Sequence, residues 1–367
     1  MSALLRKIPV SLGEQSYEIV IGYRILNELG EALSKLGLGP KQMIITSELV
    51  QRLYCKAAYD SLLSSGFDAS VTTVSDEEKA KSLDTLTTIY EKLLEHEFDR
   101  SSGIVALGGG VVGDMAGFAA ATFMRGIRFA QVPTTLLAQI DSSIGGKTGV
   151  NHPRAKNLIG AFHQPAIVWT DISTLQTLPN RELRSGLAET IKYAMIADPE
   201  LFKMLEKTAA SLSSTSHEAL IDIISRCCMI KARLVEQDEK ERGARSILNY
   251  GHTVGHALET ITGYSKYTHG EAIAIGMIAA TRISHEIGAA DDETMEQQER
   301  LLRTAGLPTR IEQTISAQAI IGQLNSDKKR LGGRIRWVLP RTIGDAFLTM
   351  EVRPDVVLKV LKQMTTA

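Results

Sequence analysis

The sequence predicts an α/β domain over residues 1–179 followed by a helical domain over 180–367. Three observations carry that division. Short β-branched or apolar runs alternate with helically spaced segments as far as Leu178-Pro179, the pattern of a parallel sheet with crossover helices. Beyond that point the apolar periodicity is almost wholly helical until RIRWVLP near Arg336. Within the first part, IVALGGGVVGDMAGFAA reads as a strand, a glycine turn and a helix.

The elements follow in order. MSALLRKIPVSLGEQSYEIVIG alternates as two strands around a Gly-Glu-Gln turn. MIITS from Met43 and SVTTVS from Ser70 are strands, and SLDTLTTIYEKLLEHEF from Ser82 has helical spacing of Leu and Ile. GIVALGGG from Gly103 and FAQVPTTLL from Phe129 are buried strands. DSSIGGKTGVNHPRAKNLIGAFHQP reads as a glycine-rich loop. Helices follow in RELRSGLAETIKYAMIADPELFKMLEK, ALIDIISRCCMIKARLVEQDEKERG, SILNYGHTVGHALETI and GEAIAIGMIAATRISHEIG.

Composition narrows the function. A formal net charge of −1 gives no global field for nucleic acid or an anionic membrane, so an anionic ligand needs a local basic cluster. Three cysteines, Cys55, Cys227 and Cys228, make neither a disulfide framework nor a zinc knuckle, and fit a reducing compartment. The start lacks the apolar core of a signal peptide, and AIAIGMIAA near Ala272 is too short to span a bilayer. A soluble cytoplasmic protein is expected.

Gly108, Gly110 and Gly113 fit G-x-G-x-x-G, which lets backbone N–H groups approach a diphosphate at a helix N-terminus. The acidic residue that usually follows about 20 positions later is missing: Asp114 comes too soon and Asp141 too late. A variant nucleotide site therefore competes with a plain packing turn. Gly145-Gly146-Lys147-Thr148 resembles the end of a P-loop, but Asp141 stands where the first glycine belongs, so that reading fails. Lys147, Lys156 and Asn157 beside these glycines suit an anionic, oxygen-rich ligand, against the alternative of a solvated lysine-bearing loop.

Arg245, Asn249, His252 and His256 fall within roughly 60° of one another at about 100° per residue, a polar stripe on one helix. A stripe aimed inward needs a ligand, metal or partner, whereas a solvated face needs nothing. The residues between the histidines are Thr253, Val254 and Gly255, so the H-E-x-x-H protease pattern is excluded. Glu189, three residues before Lys192, is a further carboxylate candidate for a metal, or one half of a surface ion pair.

GGGVVGD, QVPTTLLAQIDSSIGGKTGVN, KNLIGAFHQP, LRSGLAETIKYA, LNYGHTVGHALE and HGEAIAIGM together resemble the 3-dehydroquinate synthase family, colinearly over essentially the whole chain. The resemblance implies an N-terminal Rossmann-like α/β nucleotide-binding domain and a helical C-terminal metal- and substrate-binding domain, with the site in the cleft between them. It implies the second step of the shikimate pathway towards aromatic amino acids: 3-deoxy-D-arabino-heptulosonate 7-phosphate gives 3-dehydroquinate and phosphate. NAD that is not consumed, a divalent zinc or cobalt ion and a homodimer come with it. The hydride that NAD borrows turns a hydroxyl into a ketone, which makes the neighbouring hydrogen acidic enough for phosphate to leave.

By the same resemblance the metal ligands are Glu189, His252 and His269, and His256 lines the substrate site instead. The NAD contacts are Asp76, Glu78 and Lys81, then Gly110, Val111, Val112, Gly113 and Asp114. They continue with Thr134, Thr135, Lys147, Lys156, Thr174, Leu175, Gln176 and Thr177. The catalytic positions are Asp141, Lys147, Lys192, Glu241, Arg245, Asn249 and His256; Asn157, Lys231 and Lys328 add substrate contacts. Arg125 matches an arginine that reaches the neighbouring subunit's site. Two departures stand out: Glu77 where the family commonly has glycine, and Ala155 where HPxGKN is usual. Alternatives are a related sugar-phosphate cyclase, a metal- and NAD-dependent polyol dehydrogenase, or a non-catalytic binding protein on the same scaffold. The dehydrogenases lack the Lys147, Asn157, Lys231 and Arg245 anion cradle.

Overall fold

The computed structural model describes residues 4–153, 155–326 and 334–365. The chain forms two compact units, Met1–Leu178 with Ser216–Lys240, and Pro179–Thr215 with Glu241–Ala367. The first is built on a seven-stranded sheet in the order β1-β2-β9-β6-β5-β3-β4. Its strands are β1 Arg6–Val10, β2 Tyr17–Gly22, β3 Lys41–Thr46, β4 Asp68–Thr73, β5 Gly103–Gly108, β6 Arg128–Pro133 and β9 Ile167–Asp171. β1 and β2 are the antiparallel pair around Gly13–Gln15; the other pairings are parallel.

The pleat places alternate residues on opposite faces. Met43, Ile45, Ile104, Ala106 and Phe129 meet one core, with Leu86, Ile89 and Leu93 of helix Leu83–Glu95 and Met115 and Ala119 of helix α1, Gly110–Thr122. Ile44, Val105, Leu107, Ala130 and Val132 meet a second core with Leu29, Leu33, Ala58 and Leu62. Both faces are covered, so β5 is buried over all six residues and reads as a continuous apolar run.

Two expectations change here. The lysine- and glycine-rich segment is a hairpin rather than a loop: β7 Lys147–His152 pairs antiparallel with β8 Ala155–Phe162 and packs on α1. Val150 joins the first core and Ile159 packs against it, which their position among polar neighbours had concealed. The helix His217–Gln237, here called α3, packs on β1, β2 and residues 138–142, so this segment joins the sheet unit rather than the helical one.

The second unit is mainly helical, with α5 His269–Glu286 packed on both α2 Asn180–Ala197 and α4 His252–Ile261, and a small hairpin of β10 Trp337–Thr342 and β11 Asp345–Thr349. α2 is buried on every side from Ser185 to Ile196. SILNYGHTVGHALETI is not one helix: Ala244–Asn249 is a 3-10 turn, Tyr250 is non-helical, and Gly251 has φ +79 before α4 starts at His252. The four-residue polar stripe is therefore broken by left-handed backbone. Among the described residues no helix is long and apolar enough to cross a membrane.

Candidate metal centre and nucleotide edge

In the first unit the parallel strands deliver four turns to one sheet edge. β4 leads to Asp76, Glu78 and Lys81; β5 to Gly110–Asp114; β6 to Thr134 and Thr135; β9 to Ile172–Thr177. Strand order reverses between β3 and β5, since β4 lies outside β3, and ligands of such sheets bind outside the carboxyl ends at that switch. Lys81, almost fully buried, donates to Asp114 Oδ2 and Asn157 Oδ1, both at 2.6 Å. Asn151 Nδ2 donates to Glu78 Oε1 at 2.8 Å, and Lys156 Nζ lies 3.4 Å from the same oxygen. Burial pushes the Asp114 carboxyl up, against the pull of Lys81. The missing downstream acid thus has a spatial substitute, since the β4 turn brings carboxylates to the α1 N-terminus.

Several residues stand differently from a simple contact. The Val112 side chain is fully buried in the core, which leaves only its backbone for a ligand. Asn157, expected at substrate, is held by Lys81 and by its own N–H to Asn151 Oδ1 at 2.9 Å. Thr177 Oγ1 contacts the Tyr54 hydroxyl, which donates to the Thr174 carbonyl at 3.1 Å. Lys231 Nζ donates to the Asp141 carbonyl at 2.6 Å and contacts its carboxylate. Arg125 is exposed in left-handed backbone with φ +68. Neither departure demands glycine: Glu77 has φ −72 and ψ 139, and Ala155 is not among the residues with positive φ. Lys328 lies outside the described residues.

In the second unit Glu189, His252 and His269 offer ligand atoms within 4.8 Å of one another. Glu189 Oε1 lies 3.6 Å from His252 Nε2 and 3.3 Å from His269 Nε2. Neither carboxylate oxygen has a well-formed hydrogen bond, although Lys192 contacts Oε2, and the side chain is fully buried. Of the two readings of Glu189, the surface ion pair with Lys192 is excluded; both side chains are enclosed by the all-round buried α2. A buried carboxylate faced by two imidazole nitrogens is a donor set suited to zinc or cobalt. His256 does not join it: its side chain is about a third exposed and its Nε2 lies 4.0 Å from Glu259 Oε2.

The backbone explains the convergence. One face of α2 grips the start of α5: Arg181 binds Glu271 through two hydrogen bonds, at 3.0 and 2.7 Å, and Gly270 N–H donates to Ser185 Oγ at 3.0 Å. Glu189 continues that face two turns on from Arg181. A Cβ on Gly270 would lie 2.2 Å from the Ser185 carbonyl oxygen, so glycine is required there. Thr268 and Glu271 form a capping box, so His269 occupies the first turn of α5. That Thr-x-x-Glu signature was legible in the sequence; the grip by Arg181 and Ser185 is a tertiary contact and was not.

The electrostatics suit a cation. Burial raises the Glu189 carboxyl most, but Lys192, His252 and His269 overcome it and hold it well below its ordinary value. Burial lowers His252 to about 3, so it stands neutral with a lone pair. Burial also opposes charge on His269, but Glu189 and Glu259 outweigh it and lift the ring to about 9 without a cation. A metal taking this site displaces that proton.

Known proteins share this fold and much of this sequence. Residues 71–185 match the profile "3-dehydroquinate synthase N-terminal" and residues 186–330 match "3-dehydroquinate synthase C-terminal". The 3-dehydroquinate synthase of Nostoc punctiforme is 49% identical over 359 residues, 97% of this chain and 99% of that one. The 2-epi-5-epi-valiolone synthase ValA of Streptomyces hygroscopicus, solved with NAD+ and Zn2+ bound, superposes with TM-score 0.88 at 27% identity, covering 96% of this chain and 98% of that one. A 2-deoxy-scyllo-inosose synthase complexed with carbaglucose-6-phosphate, NAD+ and Co2+ gives 0.88 at 26% identity, covering 98% of this chain and all of that one. With both profiles matched in order and near-half identity along almost its full length, the chain belongs to the 3-dehydroquinate synthase family.

Proposed function

We propose that the chain converts 3-deoxy-D-arabino-heptulosonate 7-phosphate to 3-dehydroquinate and phosphate, as a carbon–oxygen lyase of the shikimate pathway. The single observation that carries this is the convergence of Glu189, His252 and His269, with the Glu189 carboxylate fully buried and faced by both imidazoles, in a chain of this family. When bound, NAD supplies a reversible store for one hydride and a zinc or cobalt ion supplies a Lewis acid.

The protein's own groups do the rest. The turns after β4, β5, β6 and β9 hold the nucleotide, with the Lys81–Asp114 pair fixing the first turn of α1. Lys147, Lys231 and Arg245 anchor the substrate's phosphate and carboxylate by charge-assisted hydrogen bonds, while Asn157 is held by Lys81. Anchoring both ends restricts the open chain to conformations that can close, a proximity contribution. Lys192, Glu241 and Asn249 orient the hydroxyls; Asn249 Nδ2 already donates to Glu241 Oε1 at 3.1 Å. His256, more exposed than the ligand histidines, moves a proton at Nε2 during phosphate loss. The enzyme acts as a cytoplasmic homodimer, with Arg125 completing the neighbouring subunit's site.

One assay tests the reading. Purified protein, the heptulosonate phosphate and substoichiometric NAD should release inorganic phosphate many times over without NADH accumulating. Stoichiometric NADH would mean a dehydrogenase instead. Phosphate release only from another sugar phosphate would mean a related cyclase.

A further inference from the structure

Glu259 was not among the residues picked out from the sequence. It lies on α4, three residues beyond His256, with its side chain only 10% exposed. Its Oε1 is 3.3 Å from His269 Nδ1 and its Oε2 is 4.0 Å from His256 Nε2. Among the described residues these two imidazoles are its only ion-pair partners; no Lys or Arg reaches it. A buried carboxylate without a basic partner needs an N–H donor, and the His269 ring supplies one.

We infer that Glu259 is a positioning residue that fixes the His269 ring for metal binding and, through its second oxygen, sets the place of His256. A carboxylate accepts only, so once a metal has displaced one proton the proton that remains on the His269 ring is held at Nδ1, leaving the lone pair on Nε2, which faces Glu189. His252 is fixed in the same sense by a backbone carbonyl, with Nδ1 3.0 Å from Tyr250 O. The two rings thus present the same nitrogen to Glu189, each locked from behind by a different acceptor. Such outer partners typically change metal affinity by about 10- to 100-fold when removed. This inference rests on the reading of Glu189, His252 and His269 as the metal centre.

The test uses the full-length protein and four forms: wild type, His252→Ala, Glu259→Ala and the near-isosteric Glu259→Gln. Zinc affinity is measured by competition with a chromophoric chelator, and the visible absorption of the cobalt-loaded protein reports ligand geometry. Glu259→Ala should bind zinc about 10- to 100-fold more weakly. Glu259→Gln, which keeps an acceptor oxygen, should lose less affinity and still alter the cobalt spectrum. Should both Glu259 variants match wild type in affinity and spectrum while His252→Ala loses the metal, the positioning role is wrong and the metal centre stands. Should His252→Ala bind zinc as wild type does, the metal centre itself is wrong. Thermal melting and NAD binding of each variant separate a local loss from unfolding; if Glu259→Ala does not fold, Glu259→Gln decides.

Discussion

His252 Nδ1 sits 3.0 Å from the carbonyl oxygen of Tyr250, only two residues back in the chain. A carbonyl accepts and cannot donate, so Nδ1 carries the proton and Nε2 is left as the ligand atom. The chain can fold back this tightly because Gly251 adopts φ +79. A Cβ there would stand 2.8 Å from the Ile273 carbonyl oxygen and 3.0 Å from the Met277 nitrogen, both backbone atoms of α5. Gly251→Ala should therefore cost at least about 1–2 kcal/mol from the left-handed backbone alone, and it should weaken zinc binding as well. Thermal unfolding with a chelator competition checks both; unchanged stability and affinity would show that the turn does not position His252.

The histidine four residues on separates two readings of the same helix. His252 and His256 rings are 5.1 Å apart, edge to face, yet only His252 faces Glu189. His256→Ala should retain one metal per chain while turnover slows by roughly 10²- to 10⁴-fold, the usual contribution of a proton-transfer group. Metal analysis after dialysis, beside the phosphate-release rate, measures this. Loss of the metal in this variant would restore the i, i+4 pair as ligands.

Much of the fold was legible in the sequence. The runs from Met43, Gly103 and Phe129 are strands buried almost throughout, as short apolar runs predict; SVTTVS lies on the more exposed outer strand β4; and the helix from Ser82 is capped by the Ser82 hydroxyl at Thr85 N–H. Local pattern was enough there because each element's own residues decide its state. It failed where tertiary contact decides. The β7–β8 hairpin looked like a loop because its polar and glycine residues hide Val150, which enters the core, and Ile159 and Ala161, which pack against it. The helix at 246–261 looked continuous because one glycine, Gly251, changes the hand of the backbone without changing the apolar spacing. For Glu189 and Lys192 a surface pair stayed open as an alternative because sequence separation does not report that α2 is enclosed. Glu189, His252 and His269 came from family resemblance; spacing favours His252 with His256, since it cannot see a ligand at the start of the next helix.

Arg245 is buried in a 3-10 turn beside Ser246, whose Oγ accepts from Arg336 at 2.8 Å. If Arg245 binds a substrate anion, Arg245→Ala should raise the Michaelis constant roughly 10- to 150-fold, the worth of one charged hydrogen bond. Affinity for NAD should stay within about twofold, because the nucleotide turns belong to the other unit of the chain. Calorimetry with NAD and initial rates at varied substrate check the split. Equal losses in both would point to misfolding rather than a lost anion contact.

His163 offers a pH test that does not involve the metal centre. Its ring is partly buried, its Nε2 lies 2.8 Å from the Ile127 carbonyl, and it stacks on Phe129 at 5.3 Å. Burial lowers its pKa below the ordinary value, with the Ile127 carbonyl pulling the other way. In the unfolded chain an imidazole takes its proton near pH 6.5, whereas the folded ring takes it only at lower pH. Between those values the unfolded state binds more protons, so acid favours unfolding: the contribution is intact above about pH 6.5 and is lost as pH falls towards the folded value. His163→Gln, which cannot titrate but keeps a side-chain N–H for Ile127, should flatten the fall in melting temperature below about pH 6.5. Melting curves from pH 7.5 to 5 at fixed ionic strength measure it. Parallel acid limbs for wild type and variant would mean that His163 is not a source of the acid sensitivity.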